Sequence, residues 1–299
     1  PERQQVIAFD GAYHGDTFGA MALGERGLFS APFEPLLFDV ARAPWPATWW
    51  GDEAIEQKEA QALQRLDELL QTPTAAVIFE PLLQGAGGMA MVRETFLQAV
   101  EQRAHSAGAL VIADEVLTGF GRSGSLFASH RAGIRPDIVS LSKGLTAGFL
   151  PMGVTLASES LYQSFVGPEP DRTFFHGHSF TANPLGCAAA VASLDLLERE
   201  PERYLSIEAR HRSHLERLAS HRLVTKPRLL GGIAAFELPG DSGYLQPIGL
   251  EVQRLALERG LFIRPLGSVV YLMPPLGIND DELEQCYTSL EAVLNSLPL

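Results

Sequence analysis

The segment Pro136–Gly153, PDIVSLSKGLTAGFLPMG, carries an apolar run, Ile138-Val139-Ser140-Leu141, straight into a lysine and then into small residues. Lysine is seldom buried without compensation, so Lys143 either ends a buried strand for a chemical reason or escapes there to water. Two more apolar runs end in the same way. Ala75–Glu80 (AAVIFE) leads into Glu80-Pro81, and Ala109–Asp114 (ALVIAD) leads into Asp114-Glu115. All three read as buried strands, and Glu94–His105 between the first two reads as an amphipathic helix. Strands alternating with helices require right-handed crossovers and a largely parallel sheet, which predicts an α/β fold. Polar groups then gather at the carboxyl ends of the strands, where open α/β sheets bind ligands. Lys143 is expected to point into such a site.

The chain has 299 residues, 46% of them hydrophobic, enough to bury more than one layer of structure. A formal net charge of −13 argues against a nucleic-acid surface, which needs a basic stripe. Cys187 and Cys286 have neither metal-ligand spacing nor a disulfide-rich context, and no apolar run approaches the ~18 residues of a membrane span. A reduced, cytoplasmic protein is the expectation. The chain opens on Pro1 and runs at once into QQVIAFDGAYHGDT, which reads as the middle of something longer, with an N-terminal part missing. Asp52–Gln71 has charges on most faces and a leucine stripe, the pattern of a covering helix. Beyond about Arg203 the alternation changes: RLLGGIAAFEL, a helix through IGLEVQRLALERG, strand-like LFIRPLG and SVVYLMPP, and a last helix from Asp280. The expected organisation is a large domain over 1–202 and a smaller α+β domain over 203–299.

A lysine and an aspartate at adjacent strand ends suit one kind of chemistry. A lysine held partly out of water loses proton affinity, which makes its amine a better nucleophile toward an aldehyde. A buried aspartate beside an aromatic nitrogen heterocycle stabilises the protonated ring. Alone, a strand-end lysine is more often a solvated end and an Asp-Glu pair more often a cap or turn. Two further stretches support the pair. In HGHSFTANPLGCAAAVASLDLLE, Asn183 is expected to cap a helix with Pro184 in its first turn, which leaves Ser179 and Thr181 beside a helix start suited to phosphate. In AYHGDT, Tyr13 offers an aromatic face for a flat cofactor, followed by His14 and Gly15.

Taken together, YHGDTFGAM, FEPLLQGAGGM, IADEVLTGFGRSG, DIVSLSKGLTAGFLPMG and HGHSFTANPLGCAAA resemble, in order, the signatures of the class III, fold-type I pyridoxal phosphate (PLP) aminotransferases. The resemblance implies a mostly parallel sheet with helices on both faces, plus a smaller C-terminal α+β domain. Within the class, IRPLGSVVYLMPPLGI, YHGDTFGAM and QGAGGM resemble the branch of biotin synthesis that acts on 8-amino-7-oxononanoate with S-adenosyl-L-methionine as amino donor. Carried over residue by residue, the resemblance implies that Lys143 is the catalytic lysine that bonds PLP and moves a proton at the substrate carbon. It implies that Asp114 pairs with the pyridine nitrogen and that Tyr13 stacks near the ring, close to cofactor and substrate alike. Ser179 matches the hydroxyl that reaches the phosphate of a neighbouring subunit's cofactor, which implies a homodimer with shared active sites. Arg264 matches the arginine that holds the oxononanoate carboxylate, Tyr271 a tyrosine near that substrate, and Arg122 another arginine at the substrate end. The other reading of Arg264 is an internal ion pair to Glu80 or Glu237.

Two departures from the family pattern stand out. The upstream glycine-serine phosphate loop and the N-terminal aromatic residues of the substrate pocket have no counterpart here, and His178 stands where the biotin-pathway pattern has proline. The alternatives are an ω-amino-acid or diamine aminotransferase, an aminomutase, or a chain that keeps the fold without catalysis.

Overall fold

The computed structural model describes residues 3–240 and 246–297. Its main sheet has six strands: β1 (Gln5–Phe9), β2 (Ala41–Ala43), β3 (Thr74–Phe79), β4 (Leu110–Asp114), β5 (Ile138–Leu141) and β6 (Val154–Ala157), in the order β2-β1-β3-β4-β5-β6. Every neighbouring pair is parallel except β5 with β6. The central strands are nearly continuous runs of Val, Ile, Ala and Phe because helices cover the sheet. Among them are α1 (Ile55–Leu69), which buries Ala62 and Leu66, and α2 (Glu94–Ser106), which buries Phe96, Leu97 and Val100. Phe9, Trp45, Phe79 and Phe96 meet edge to face, with Phe9 5.3 Å from Trp45 and 6.0 Å from Phe96, and anchor this layer.

Register is what matters for function. Phe79 lies opposite Ala113, and Asp114 opposite Ser140, so β3, β4 and β5 finish along one edge. Glu80, Asp114 and Lys143 are therefore delivered side by side, as the sequence leads one to expect.

The C-terminal region contains a three-stranded antiparallel sheet of β7 (Thr225–Leu230), β8 (Ile233–Glu237) and β9 (Val269–Leu272), with β8 in the middle. RLLGGIAAFEL is a tight hairpin. Gly231 at its turn has φ +53°, and a Cβ there would stand 2.3 Å from the Gly124 amide nitrogen, so only glycine lets the two regions approach this closely. LFIRPLG differs from expectation: it is not part of a strand, and only Leu266 forms a bridge, to Val269. Pro265 has no N–H to give a ladder, which frees the backbone around Arg264 from the sheet. α3 (Pro184–Arg199) packs against the turn that carries Lys143, whereas α4 (Ile207–Ala219), α5 (Pro247–Leu257) and α6 (Asp280–Ser296) surround these strands. Asn183 caps α3 by accepting from the Gly186 N–H at 2.7 Å, and Asn279 with Glu282 makes a reciprocal capping box on α6. Among the described residues no helix is long and apolar enough to cross a membrane.

α4 and α6 are joined by a buried polar contact between His211 Nδ1 and the Tyr287 hydroxyl at 2.8 Å. The His214 ring stacks on Tyr287 at 4.9 Å, and His214 Nδ1 lies 3.1 Å from Glu284. Burial, with His214, Arg210 and Arg122 nearby, pushes His211 down to about 4. In the unfolded chain a histidine takes its proton near 6.5, so between these values the unfolded state binds more protons. Stability from this group is complete above 6.5 and drains away as the pH falls toward 4. Urea unfolding from pH 7 to pH 4 should lose on the order of 3 kcal/mol more in the wild type than in His211→Gln. Parallel pH profiles for the two proteins would remove His211 as the cause.

Candidate active site

A cavity of about 460 Å³ opens at the carboxyl ends of β3, β4 and β5. Tyr13, His14, Glu80, Asp114, Lys143, Arg264 and Tyr271 all line it. Residues from five stretches far apart in sequence thus meet: Glu80, Asp114 and Lys143 because parallel strands end together, with Tyr13 and His14 from the loop after β1 and Arg264 and Tyr271 from the C-terminal region.

Asp114 is the last residue of β4, and its side chain is 8% exposed. Its Oδ2 lies 2.7 Å from His14 Nδ1, and its Oδ1 accepts from the Val116 N–H at 3.1 Å. A buried carboxylate needs such partners, because an unsatisfied one is costly out of water. The next residue, Glu115, is fully buried yet faces away from this chemistry. It accepts from Thr118 Oγ1 and from the N–H groups of Ala128 and Ser129, closing a loop and a short helix start. Of the Asp-Glu pair, one member lines the cavity and the other is a structural cap.

Lys143 follows β5 with φ +41°, in the left-handed region that lysine rarely adopts. The turn brings it to the cavity wall, while Ser142 Oγ donates to the Met152 carbonyl at 2.7 Å and fixes the strand end before it. The expected part-burial is not seen. In the single chain Lys143 is exposed, because the cavity is open to water on that side. Tyr13 lines the same cavity at 44% exposure, its hydroxyl pushed up by burial and by the hydrogen-bonded Asp16 carboxylate.

Arg264 and Tyr271 come from the C-terminal region, and both reach the same cavity. Arg264 has no ion pair among the described residues. The two glutamates that were candidates are otherwise engaged: Glu237 pairs with Lys226 and Arg228, and Glu80 accepts from the Tyr13 and Gly85 N–H groups.

Two residues expected at the site lie outside the cavity lining. Arg122 donates to the Pro274 carbonyl at 2.7 Å and accepts the Gly232 N–H on its own carbonyl, bracing β7 and β8 against the loop after β4. Ser179 lies on an exposed turn just ahead of α3, where the His178 N–H donates to Thr181 Oγ1 at 3.2 Å. Two others were undervalued in the sequence. Glu80 ends a strand just as Asp114 does, which was the available signal. His14 was visible only as a motif neighbour of Tyr13, and nothing in its local sequence pairs it with a residue 100 positions away.

The sequence matches the family described as class III aminotransferase over positions 1–294. It is 56% identical over 297 residues to the adenosylmethionine-8-amino-7-oxononanoate aminotransferase of Synechococcus elongatus, an alignment covering 99% of this chain and 70% of that protein. Among solved structures, the adenosylmethionine-8-amino-7-oxononanoate aminotransferase of Methanocaldococcus jannaschii superposes with a TM-score of 0.89 at 30% identity, over 100% of this chain and 69% of the other. An amine transaminase from an uncultivated Pseudomonas species, in its PLP-bound form, gives a TM-score of 0.90 at 29% identity, over 99% of this chain and 70% of that one. Likeness in fold is thus shared across transaminases, whereas the higher sequence identity falls in one branch. A family match from the first position to 294, on a parallel sheet whose strand ends carry an aspartate and a lysine into one cavity, has a single consequence: this chain belongs to the class III aminotransferases.

Proposed function

We propose that the chain transfers an amino group from S-adenosyl-L-methionine to 8-amino-7-oxononanoate, giving 7,8-diaminononanoate for biotin synthesis, with PLP as cofactor. The observation that carries the substrate reading is Arg264: a guanidinium at the cavity mouth with no ion pair among the described residues. Its planar fork suits a carboxylate, and the oxononanoate has one at the end of its chain. The 56% identity to the S. elongatus enzyme supports the same branch over an ω-amino-acid or diamine aminotransferase or an aminomutase.

The cavity fits PLP. Its floor has a buried carboxylate, its wall has a primary amine and an aromatic face, and His14 Nε2 is buried there without a hydrogen-bond partner. When bound, PLP supplies an electron sink for the carbanion at the substrate carbon that exchanges nitrogen. Asp114 would hold the ring nitrogen, with its carboxylate oriented by His14 and the Val116 N–H. Lys143 Nζ would take a proton from the donor carbon and return it at the acceptor carbon, as a general base and then a general acid. Tyr13 would cover the cofactor ring, and Arg264 with Tyr271 would align the oxononanoate so that its ketone faces Lys143. Arg122 would serve the substrate end while one of its N–H groups is held by the Pro274 carbonyl.

The single chain exposes large apolar side chains flanking Ser179 in sequence, Phe175 at 84%, Phe180 at 76% and Leu185 at 71%, and exposes Phe149 at 81% as well. Aromatic surface of this kind marks interfaces, which supports a homodimer in which Ser179 serves the partner's cofactor phosphate. A division into a large domain over 1–202 and a small one over 203–299 is supported by a second core running from Leu215 to Leu297 around β7, β8 and β9. A cytoplasmic setting is supported by two cysteines, both free.

Three measurements test the reading. Incubated with PLP, the oxononanoate and a panel of amino donors, the protein should form 7,8-diaminononanoate with S-adenosyl-L-methionine, detected by mass spectrometry, and Lys143→Ala should form none. Turnover with diamine or ω-amino-acid donors alone would move the chain to the other branches. In single-turnover measurements, Arg264→Ala should weaken the oxononanoate half-reaction by about 2–5 kcal/mol and leave the donor half-reaction nearly unchanged. Equal damage to both halves would make Arg264 structural. Dilution should release PLP in step with dissociation of the dimer, read by sedimentation and cofactor absorbance. A monomer that keeps all its PLP would contradict shared sites.

A further inference from the structure

Glu80 lies at the floor of the cavity, directly after β3, and is 4% exposed. Its two oxygens serve two different loops: Oε1 accepts from the Tyr13 N–H at 3.1 Å and Oε2 from the Gly85 N–H at 2.9 Å. Tyr13 to Gly15 form one wall of the cavity, and Gly85 to Met89 contribute to another. A carboxylate accepts at both oxygens, whereas an amide in its place would turn a donor toward one of the two N–H groups.

The second loop needs holding. Leu82, Gly88 and Met89 all have positive φ, at 66°, 91° and 53°. Gly85 is packed so closely that a Cβ would stand 2.3 Å from Leu117 Cδ2. At its far end the buried Arg228 donates to the Gly88 and Met89 carbonyls at 2.7 and 2.8 Å. The loop is thus pinned by a guanidinium at one end and by Glu80 at the other.

We propose that Glu80 is a positioning residue for the transamination site, whose carboxylate fixes the separation of the Tyr13 wall and the Gly85 wall and lets one of them go when it gains a proton. The role is indirect, since Glu80 works through Tyr13 and Gly85. Burial pushes Glu80 up to about 7, opposed by the Gly85 and Tyr13 N–H donors and by His14, with Asp114 adding to the rise. His14 and Asp114 are the titratable groups that bear on it most directly, and Tyr13, Lys143, Arg264 and Tyr271 share its cavity. The clamp therefore engages as the pH climbs through neutrality.

The binding arm of the test rests on the PLP reading, and the other arm does not. Titrating PLP into wild type and Glu80→Gln from pH 5.5 to 8.5 gives a ratio of dissociation constants in which Lys143 and the other shared groups cancel. The ratio should be near one at pH 5.5 and about tenfold or more at pH 8.5, the size of one lost hydrogen bond to a charged group. A ratio that is flat across this range, whatever its size, overturns the proposal. Hydrogen exchange of the Tyr13 and Gly85 amides in the wild type, corrected for intrinsic rates, should show one of the two losing about tenfold protection below pH 6. Equal protection on both sides of neutrality overturns it as well, and this measurement stands even where Glu80→Gln fails to fold. Absence of PLP binding by the wild type would count against the cofactor reading alone, and amide exchange would then decide the role of Glu80.

Discussion

A buried carboxylate at the end of a parallel strand governs the surroundings of this site. Asp114 sits where the sheet delivers it, out of water, and its oxygens must be met by donors. Meeting them draws the loop after β1 across the strand ends, because His14 has to reach Asp114, and that loop carries Tyr13 with it. Glu80, one strand over, then ties the same loop to Gly85. Two acids buried side by side are unfavourable in isolation. Here each is surrounded by backbone N–H groups or an imidazole, so the arrangement closes on itself and leaves the aromatic, the amine and the carboxylate around one space.

The C-terminal region completes that space from the other side. The hairpin turn at Gly231 touches the loop after β4 closely enough that no side chain fits between them, and Arg122 adds hydrogen bonds across the same seam. Fixing that seam sets the position of β9, and with it Tyr271 and the unpaired stretch that carries Arg264. A ligand at Arg264 would thus be positioned relative to Lys143 through this seam.

Much of this was legible in the sequence, for identifiable reasons. Continuous apolar runs ending in Glu80, Asp114 and Lys143, alternating with a helical pattern, read as buried strands, and parallel strands end at one edge, so the gathering of those three residues was legible from the pattern. Asn183 and Pro184 announce α3 through cap chemistry, which is local. What stayed hidden was non-local or single-residue in origin. The His14–Asp114 contact joins loops 100 positions apart, and no periodicity encodes it. The stretch around Arg264 has strand-forming residues, yet one proline removes it from the ladder. Nothing local separates Arg122, in the Gly-Ser stretch GFGRSG, from Arg264, beside a proline, and only packing shows that one donates to a carbonyl while the other lines the cavity.

The backbone of Lys143 carries one more consequence. At φ +41° the position favours glycine, and a lysine there gives up about 1 kcal/mol or more of conformational ease. Selection for stability alone would replace it, and Lys143→Gly should make the fold more robust while emptying the site of its amine. Keeping lysine at that angle is a standing compromise between durability and reactivity, located in a single residue.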